Sequence, residues 1–174
     1  MIYKYTVTPR RQFLMLVPCL TLVGILLCAY IYIFGLKLPY SLDSPSLMGV
    51  YGSSTFLFVT SILPVILLHG QYYLKNRGAE FEIDTSSRAI SFKSPSVSLS
   101  KTFEDIKSLD YYGSYAGNSG WYTFGRYRYF KLTFNDNQQI ILTALLIEDI
   151  KTTLVNLLSM EAERHLSFLA FVNK

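Results

Sequence analysis

Hydrophobic and polar positions divide this chain into two unlike parts. From Gln12 to Leu36, and again from Ser44 to Leu74, no Asp, Glu, Lys or Arg interrupts a largely apolar sequence. Each stretch exceeds the roughly 20 residues that a helix needs to cross a bilayer. The pattern predicts two transmembrane helices, at about 13–36 and 47–73, folded back as a hairpin. After Arg77-Gly78 the period changes to short alternating runs, the mark of half-buried strands. Phe81 and Ile83 alternate with Glu80, Glu82 and Asp84, and Ile90 and Phe92 repeat the pattern after the turn Thr85-Ser86-Ser87-Arg88.

Further strands are predicted at Val97–Lys101, with Val97 and Leu99 inward, and after the corner at Phe103, with Ile106 and Leu109 inward. Tyr127–Phe134 and Gln138–Thr143 flank Asn135-Asp136-Asn137, a composition that favours a hairpin turn. From Leu146 the period becomes helical, with Leu146, Ile147, Ile150, Leu154, Leu157 and Leu158 on one face. Ser159–Lys174 prolongs that helical pattern through Leu166, Phe168, Leu169, Phe171 and Val172. The expected division is therefore a membrane segment, 1–78, and a soluble α+β domain, 79–174. That domain reads as a small barrel or orthogonal sandwich capped by a C-terminal helix.

Charge sets an orientation, because Lys and Arg beside membrane segments stay on the cytoplasmic side. Lys4, Arg10 and Arg11 precede the first span, Lys75 and Arg77 follow the second, and the connection holds only Lys37, offset by Asp43. Both termini are expected in the cytoplasm of a multi-pass protein of the bacterial inner membrane. Tyr30, Tyr32 and Tyr40 at one end, and Tyr72 and Tyr73 at the other, suit the headgroup levels. The first apolar run outlasts a signal-peptide core and lacks a small-x-small cleavage site, so it reads as a span. The basic excess behind the formal charge of +4 belongs to residues 1–78, with six basic groups and one acidic, while residues 79–174 carry ten basic and eleven acidic groups. A nucleic-acid binder needs a basic stripe on its folded domain, and that class falls away. The basic flanks suit anionic membrane lipids instead.

Inside the spans, small or weakly polar residues recur at helical spacing: Thr21, Gly24 and Cys28 in the first, Gly49, Ser53 and Thr60 in the second. Such stripes let helices approach closely in lipid, so they are expected to pack the hairpin. Pro18 and Pro64 should kink or loosen the helices. Cys19 and Cys28 fall on opposite helix faces about 13 Å apart along the axis and cannot bridge. His69 and Gln71 read as interfacial groups, and His165 as a helix-surface histidine. The three carboxylates Glu80, Glu82 and Asp84 form a solvated strand face without a His or second acidic cluster to complete a catalytic site. No cofactor, metal or catalytic residue is expected.

The segment Phe81–Leu158 combines the Phe81-Glu82-Ile83-Asp84 hairpin strand, the corner Phe103-x-Asp105-Ile106-x-x-Leu109, a glycine and aromatic loop, the hairpin Lys131–Asn137 and a final helix. Together these resemble a bacterial pleckstrin-homology-like domain, which in related membrane proteins follows a pair of spans. The resemblance implies two bent sheets capped by the helix. Relatives of that fold bind phosphoinositides through a basic loop between their first two strands. Here that loop is taken as Thr85–Arg88, which carries one cation and so argues against inositol phosphates.

The most distinctive surface candidate is Tyr111–Phe130, with nine aromatics and four glycines in 20 residues. Rigid aromatic area beside Arg is the chemistry of binding hot spots. Tyr111, Tyr127, Tyr129 and Phe130 fall on strands and go to the core, leaving Tyr115, Trp121, Tyr122, Phe124, Arg126 and Arg128 as partner-binding candidates. The functional expectation is a non-enzymatic inner-membrane protein that presents its cytoplasmic domain, as a scaffold, to a protein partner or a second copy. The alternatives are an immunity protein that neutralises a membrane-directed toxin, and an accessory subunit of a transporter or membrane enzyme.

Overall fold

The computed structural model describes residues 1–35, 45–115, 123–147 and 150–172. The chain begins with a strand, β1 (Ile2–Thr6), and enters helix α1 (Pro9–Gly35) three residues later. Helix α2 (Pro45–Leu57) runs into one π-helical turn at Phe58–Ile62 and then α3 (Leu63–Asn76). The widened turn lies just before Pro64: proline has no N–H, and its ring crowds the carbonyl four residues back. Gly78, at φ +67°, then turns the chain out of α3, in a region where a side chain would be strained.

Strands β2 (Glu80–Asp84), β3 (Ala89–Lys93) and β4 (Ser98–Thr102) follow as an antiparallel meander. A 3₁₀ turn at Phe103–Asp105 makes the corner into β5 (Ile106–Ser114). The Asp105 carboxylate accepts bonds from the Thr102 backbone N–H and hydroxyl, both at 2.9 Å, and that backbone bond leads in holding its pKa below the ordinary carboxylate value. Strands β6 (Tyr129–Phe134) and β7 (Gln139–Thr143), helix α4 (Ile150–Leu158) and strand β8 (Glu163–Ser167) complete the order. The β6–β7 hairpin turns at Asn135–Gln138, with Asn137 at φ 63°.

Two four-stranded sheets result, ordered β1-β2-β3-β4 and β7-β6-β5-β8. Their facing sides hold Phe81, Ile83, Ile90, Leu109, Phe130, Leu132, Phe134 and Leu142, and Leu154 and Leu158 of α4 close the core. Alternation put these side chains inward as the sequence predicts. Val97 does not follow: it precedes β4 and is exposed. Leu146 and Ile147 are buried as expected, but ahead of the helix, which starts at Ile150.

Four expectations change. Lys4 is not a free membrane-flanking charge, because β1 pairs antiparallel with β2 and Lys4 Nζ lies 3.0 Å from the Glu80 carboxylate. A boundary at 78/79 therefore cuts through one sheet, and the apolar helices form an insertion between β1 and β2. The turn Thr85–Arg88 accordingly joins β2 to β3, while the connection between the first two strands is the helical insertion itself. The C-terminal tail does not continue α4: Glu163–Ser167 adds parallel to β5, Asp110 facing Glu163 and Tyr112 facing His165.

Asn76 at the end of α3 fastens the insertion to the second sheet. It is almost fully buried; its Nδ2 donates to the Ile141 carbonyl and its Oδ1 accepts from the Thr143 N–H, both at 2.9 Å. Stranding a buried backbone group costs about 1–3 kcal/mol. Asn76→Ala is thus expected to lower stability by about 2–4 kcal/mol, read as a lower midpoint of thermal unfolding in detergent; an unchanged midpoint would contradict this docking.

Candidate functional site

The outer face of the β7-β6-β5-β8 sheet is covered by the helices instead of by water. Val65, Leu68 and Tyr72 of α3, Ile62 of the π turn and Cys19 of α1 share one buried cluster with Phe124, Tyr127, Tyr129, Leu145 and Val172. Period two along β5, β6 and β8 puts Tyr112, Tyr129 and His165 on this face. Their rings stack in a row: Tyr129 on Tyr112 at 4.6 Å and 5°, and Tyr112 on His165 at 4.7 Å and 21°. Tyr72 meets Tyr127 and Tyr129 edge-on at 5.5 and 6.1 Å, geometries that suit the ring quadrupoles. The Tyr127 hydroxyl lies 3.0 Å from His69 Nδ1. Burial first, then Cys19, pushes the Tyr127 pKa up, so this phenol keeps its proton.

At one end of this face the domain forms a rim against the helices. A 3₁₀ turn at Thr123–Arg126 contacts α1, the π turn and α3. Phe124 within it is 0% exposed and meets Phe168 edge-on at 5.2 Å. Tyr115 is 63% exposed and its ring lies 6.1 Å from Phe168. Beside the rim, Arg11, Leu14 and Met15 of α1 join Arg126, Arg128 and Ala144 around a cavity of about 220 Å3. The Arg11 guanidinium donates to the Leu146 carbonyl. Guanidinium groups above apolar side chains fit a phosphate or carboxylate attached to a hydrophobic body.

Of the aromatic-loop residues proposed to bind a partner, Tyr115 and Arg126 are exposed and Arg128 is half-buried. Phe124 is a core residue, because the rim turns it inward between the helices and Phe168. Trp121 and Tyr122 lie outside the described residues. Of the small residues in the two apolar stretches, Gly24, Gly49 and Cys28 do not pack helix on helix. A Cβ added at Gly24 or Gly49 would meet nothing within 4 Å, and Cys28 is exposed. Thr21, Ser53 and Thr60 donate to the carbonyls four residues back on their own helices, at 2.7–2.9 Å. α1 contacts the other arm at the π turn, and Val23, Leu26, Leu27 and Tyr30 with Ser54, Thr55, Phe58 and Ile62 line an apolar groove of about 460 Å3. Arg10 and Arg11 start α1, Lys75 ends α3, and the Arg77 guanidinium sits 6.0 Å from the Tyr73 ring centre.

Sequence reasoning missed the residues that join the two parts. His69 and Gln71 are not merely interfacial: Gln71 exchanges two hydrogen bonds with the Val172 backbone, at 2.9 and 3.0 Å. Among the described residues, Asp110, Glu163 and His165 hold donor atoms within 4.8 Å of one another. His165 Nε2 stands 3.7 Å from each carboxylate, a tie between β5 and β8 when the imidazole is protonated. The alternation Tyr3-Lys4-Tyr5-Thr6 was the readable sign of β1.

Phe→Ala in a packed site costs about 3–5 kcal/mol, whereas an exposed change stays within about 0.5 kcal/mol. Phe124→Ala is therefore expected to lower stability severely and Tyr115→Ala hardly at all, measured by denaturant unfolding followed by circular dichroism. Equal effects would contradict the division of this loop into core and surface.

By length and composition, Pro9–Tyr32 and Tyr51–Asn76 are each apolar enough to cross a membrane. A family model described as a PH domain matches residues 4–154, from β1 through the helices to α4. A search of curated proteins and a search of solved structures each give no match. With two four-stranded sheets, a closing helix and a match over most of its length, the chain belongs to the PH domain family.

Proposed function

We propose that this chain is a non-enzymatic recognition module fixed at the cytoplasmic face of the bacterial inner membrane. In this reading α1 and the α2–α3 rod insert into the bilayer, and the PH domain offers its free surfaces to a protein partner. The observation that carries it is the shared core: Val65, Leu68 and Tyr72, on a stretch apolar enough to span, are buried against Phe124, Tyr127 and Tyr129 of the domain. A PH domain seated this way is held at the lipid surface at fixed orientation, which lowers the entropic cost of meeting a membrane-bound partner. The arginine-lined cavity at the seam suits the headgroup of an anionic lipid.

Topology is the first test. Ser87 lies in the exposed β2–β3 turn, and Ser41 lies between the two apolar stretches. In intact spheroplasts, a membrane-impermeant maleimide is expected to label Ser41→Cys at once and Ser87→Cys only after permeabilisation. Labelling of Ser87→Cys alone would reverse the orientation and remove the cytoplasmic role. Equal labelling of both without permeabilisation would remove the membrane anchor.

A further inference from the structure

We propose that the rim of the PH domain is immersed in the bilayer: the segment Phe168–Val172, with Tyr115 beside it, lies in the interfacial layer and has lipid as its partner. This rests on the membrane reading above, and three separate observations support it.

The first is overlap. The stretches apolar enough to span are Pro9–Tyr32 and Tyr51–Asn76, yet Cys19 of the one is buried in the cluster shared with the domain, with Leu22 and Leu26 packed against it, and the Thr123–Arg126 turn reaches the π turn, Phe58–Ile62, of the other. Crossing a bilayer takes about 20 residues of each stretch. An inserted hairpin therefore carries the adjoining rim down with it.

The second is hydrogen bonding. Phe168–Val172 is neither helix nor strand, yet each of its five successive carbonyls accepts a side-chain hydrogen bond. Ser114 Oγ donates to Phe168 at 2.7 Å, Ser167 Oγ to Leu169 at 2.7 Å and the Tyr72 hydroxyl to Ala170 at 2.7 Å. The Tyr129 hydroxyl donates to Phe171 at 3.2 Å, and Gln71 Nε2 to Val172 at 2.9 Å. Water would satisfy such carbonyls without help. Irregular backbone at membrane depth must be satisfied by the protein itself, and the carbonyls of this segment are, with the Val172 N–H bonded to Gln71 Oε1 at 3.0 Å.

The third is surface chemistry. Phe168 and Phe171 are 44% and 37% exposed, next to exposed Leu166 and Tyr115. Arg11, Arg126 and Arg128 line one cavity, and Arg126 shares its turn with Phe124, which meets Phe168. Aromatic rings bordered by cations match the acyl–headgroup boundary, where side chains sink about 5–10 Å. Ile66 and Leu67 of α3 are exposed as well, about one turn before Gln71 and Tyr72, which bind the tail.

Tryptophan quenching in vesicles tests this. Trp121 is the only tryptophan, so Trp121→Phe provides a silent background for Phe168→Trp, with Phe171→Trp as an independent second reporter. Leu27→Trp reports the hairpin and Ser87→Trp the far side of the domain. In phosphatidylcholine–phosphatidylglycerol vesicles whose acyl chains are brominated near the glycerol, both rim reporters are expected to lose roughly half their emission or more, as a group within the acyl–headgroup boundary should. Leu27→Trp should respond best to bromine near the chain ends, and Ser87→Trp should not respond. Rim reporters that stay unquenched while Leu27→Trp is quenched overturn the immersion and leave the membrane anchor standing. A blue-shifted but unquenched rim Trp would assign that edge to a protein or a second copy, which also overturns it. Failure to quench Leu27→Trp overturns the membrane reading itself, and the immersion with it.

Discussion

Packing of α3 across the outer face of the β7-β6-β5-β8 sheet is the contact on which the rest of this molecule depends. Left apart, the outer sheet face and the apolar side of α3 would each stand exposed. Here each covers the other. Tyr72 sets its ring against Tyr127 and Tyr129, Val65 and Leu68 fill the same cluster, and Asn76 closes the end with two hydrogen bonds to β7. Apolar burial supplies the affinity of this contact, and the amide bonds fix its register, since a buried backbone group left unpaired is costly.

The topology follows from that contact. Because α1 and α3 both lie on the domain, the chain can leave the first sheet after β1 and return to it at β2, with Lys4 and Tyr5 meeting Glu80 and Phe81 across the junction. The connection between the first two strands is the helical insertion. The final segment is drawn into the same assembly, with Gln71, Tyr72 and Tyr129 all binding its backbone. Helices and tail thus converge on one seam, and the arginine cavity is shared by α1 and the turn beside it.

The legible and hidden parts of this fold differ in range of interaction. Alternation at Phe81–Ile83, Ile90–Phe92 and Phe130–Phe134 is local and announced the sheets, and the Asn135–Gln138 turn announced its hairpin. β1 alternates too, but over five residues beside long apolar runs, and its partner is more than 70 positions away. The tail misled for another reason: Leu166, Phe168, Leu169 and Val172 fit a helical period, yet pairing of His165 with Tyr112 and of Leu166 with Gly113 sets it as a strand. Among the site residues, composition singled out the aromatic loop but could not separate Phe124 from Tyr115. Which ring turns inward depends on the helices lying behind it. Gly24 and Gly49 looked like close-packing positions for want of the same information, since they face open space.

Hydrogen–deuterium exchange of the full chain in lipid nanodiscs tests the shared core most directly. If helix and sheet form one cooperative unit, amides of Leu63–Asn76 and of Tyr129–Thr143 exchange with a common opening free energy, and Asn76→Ala lowers both together. Exchange of the β6–β7 amides that is unaffected by Asn76→Ala, with α3 opening separately, would show an ordinary PH domain tethered beside a hairpin and contradict the account.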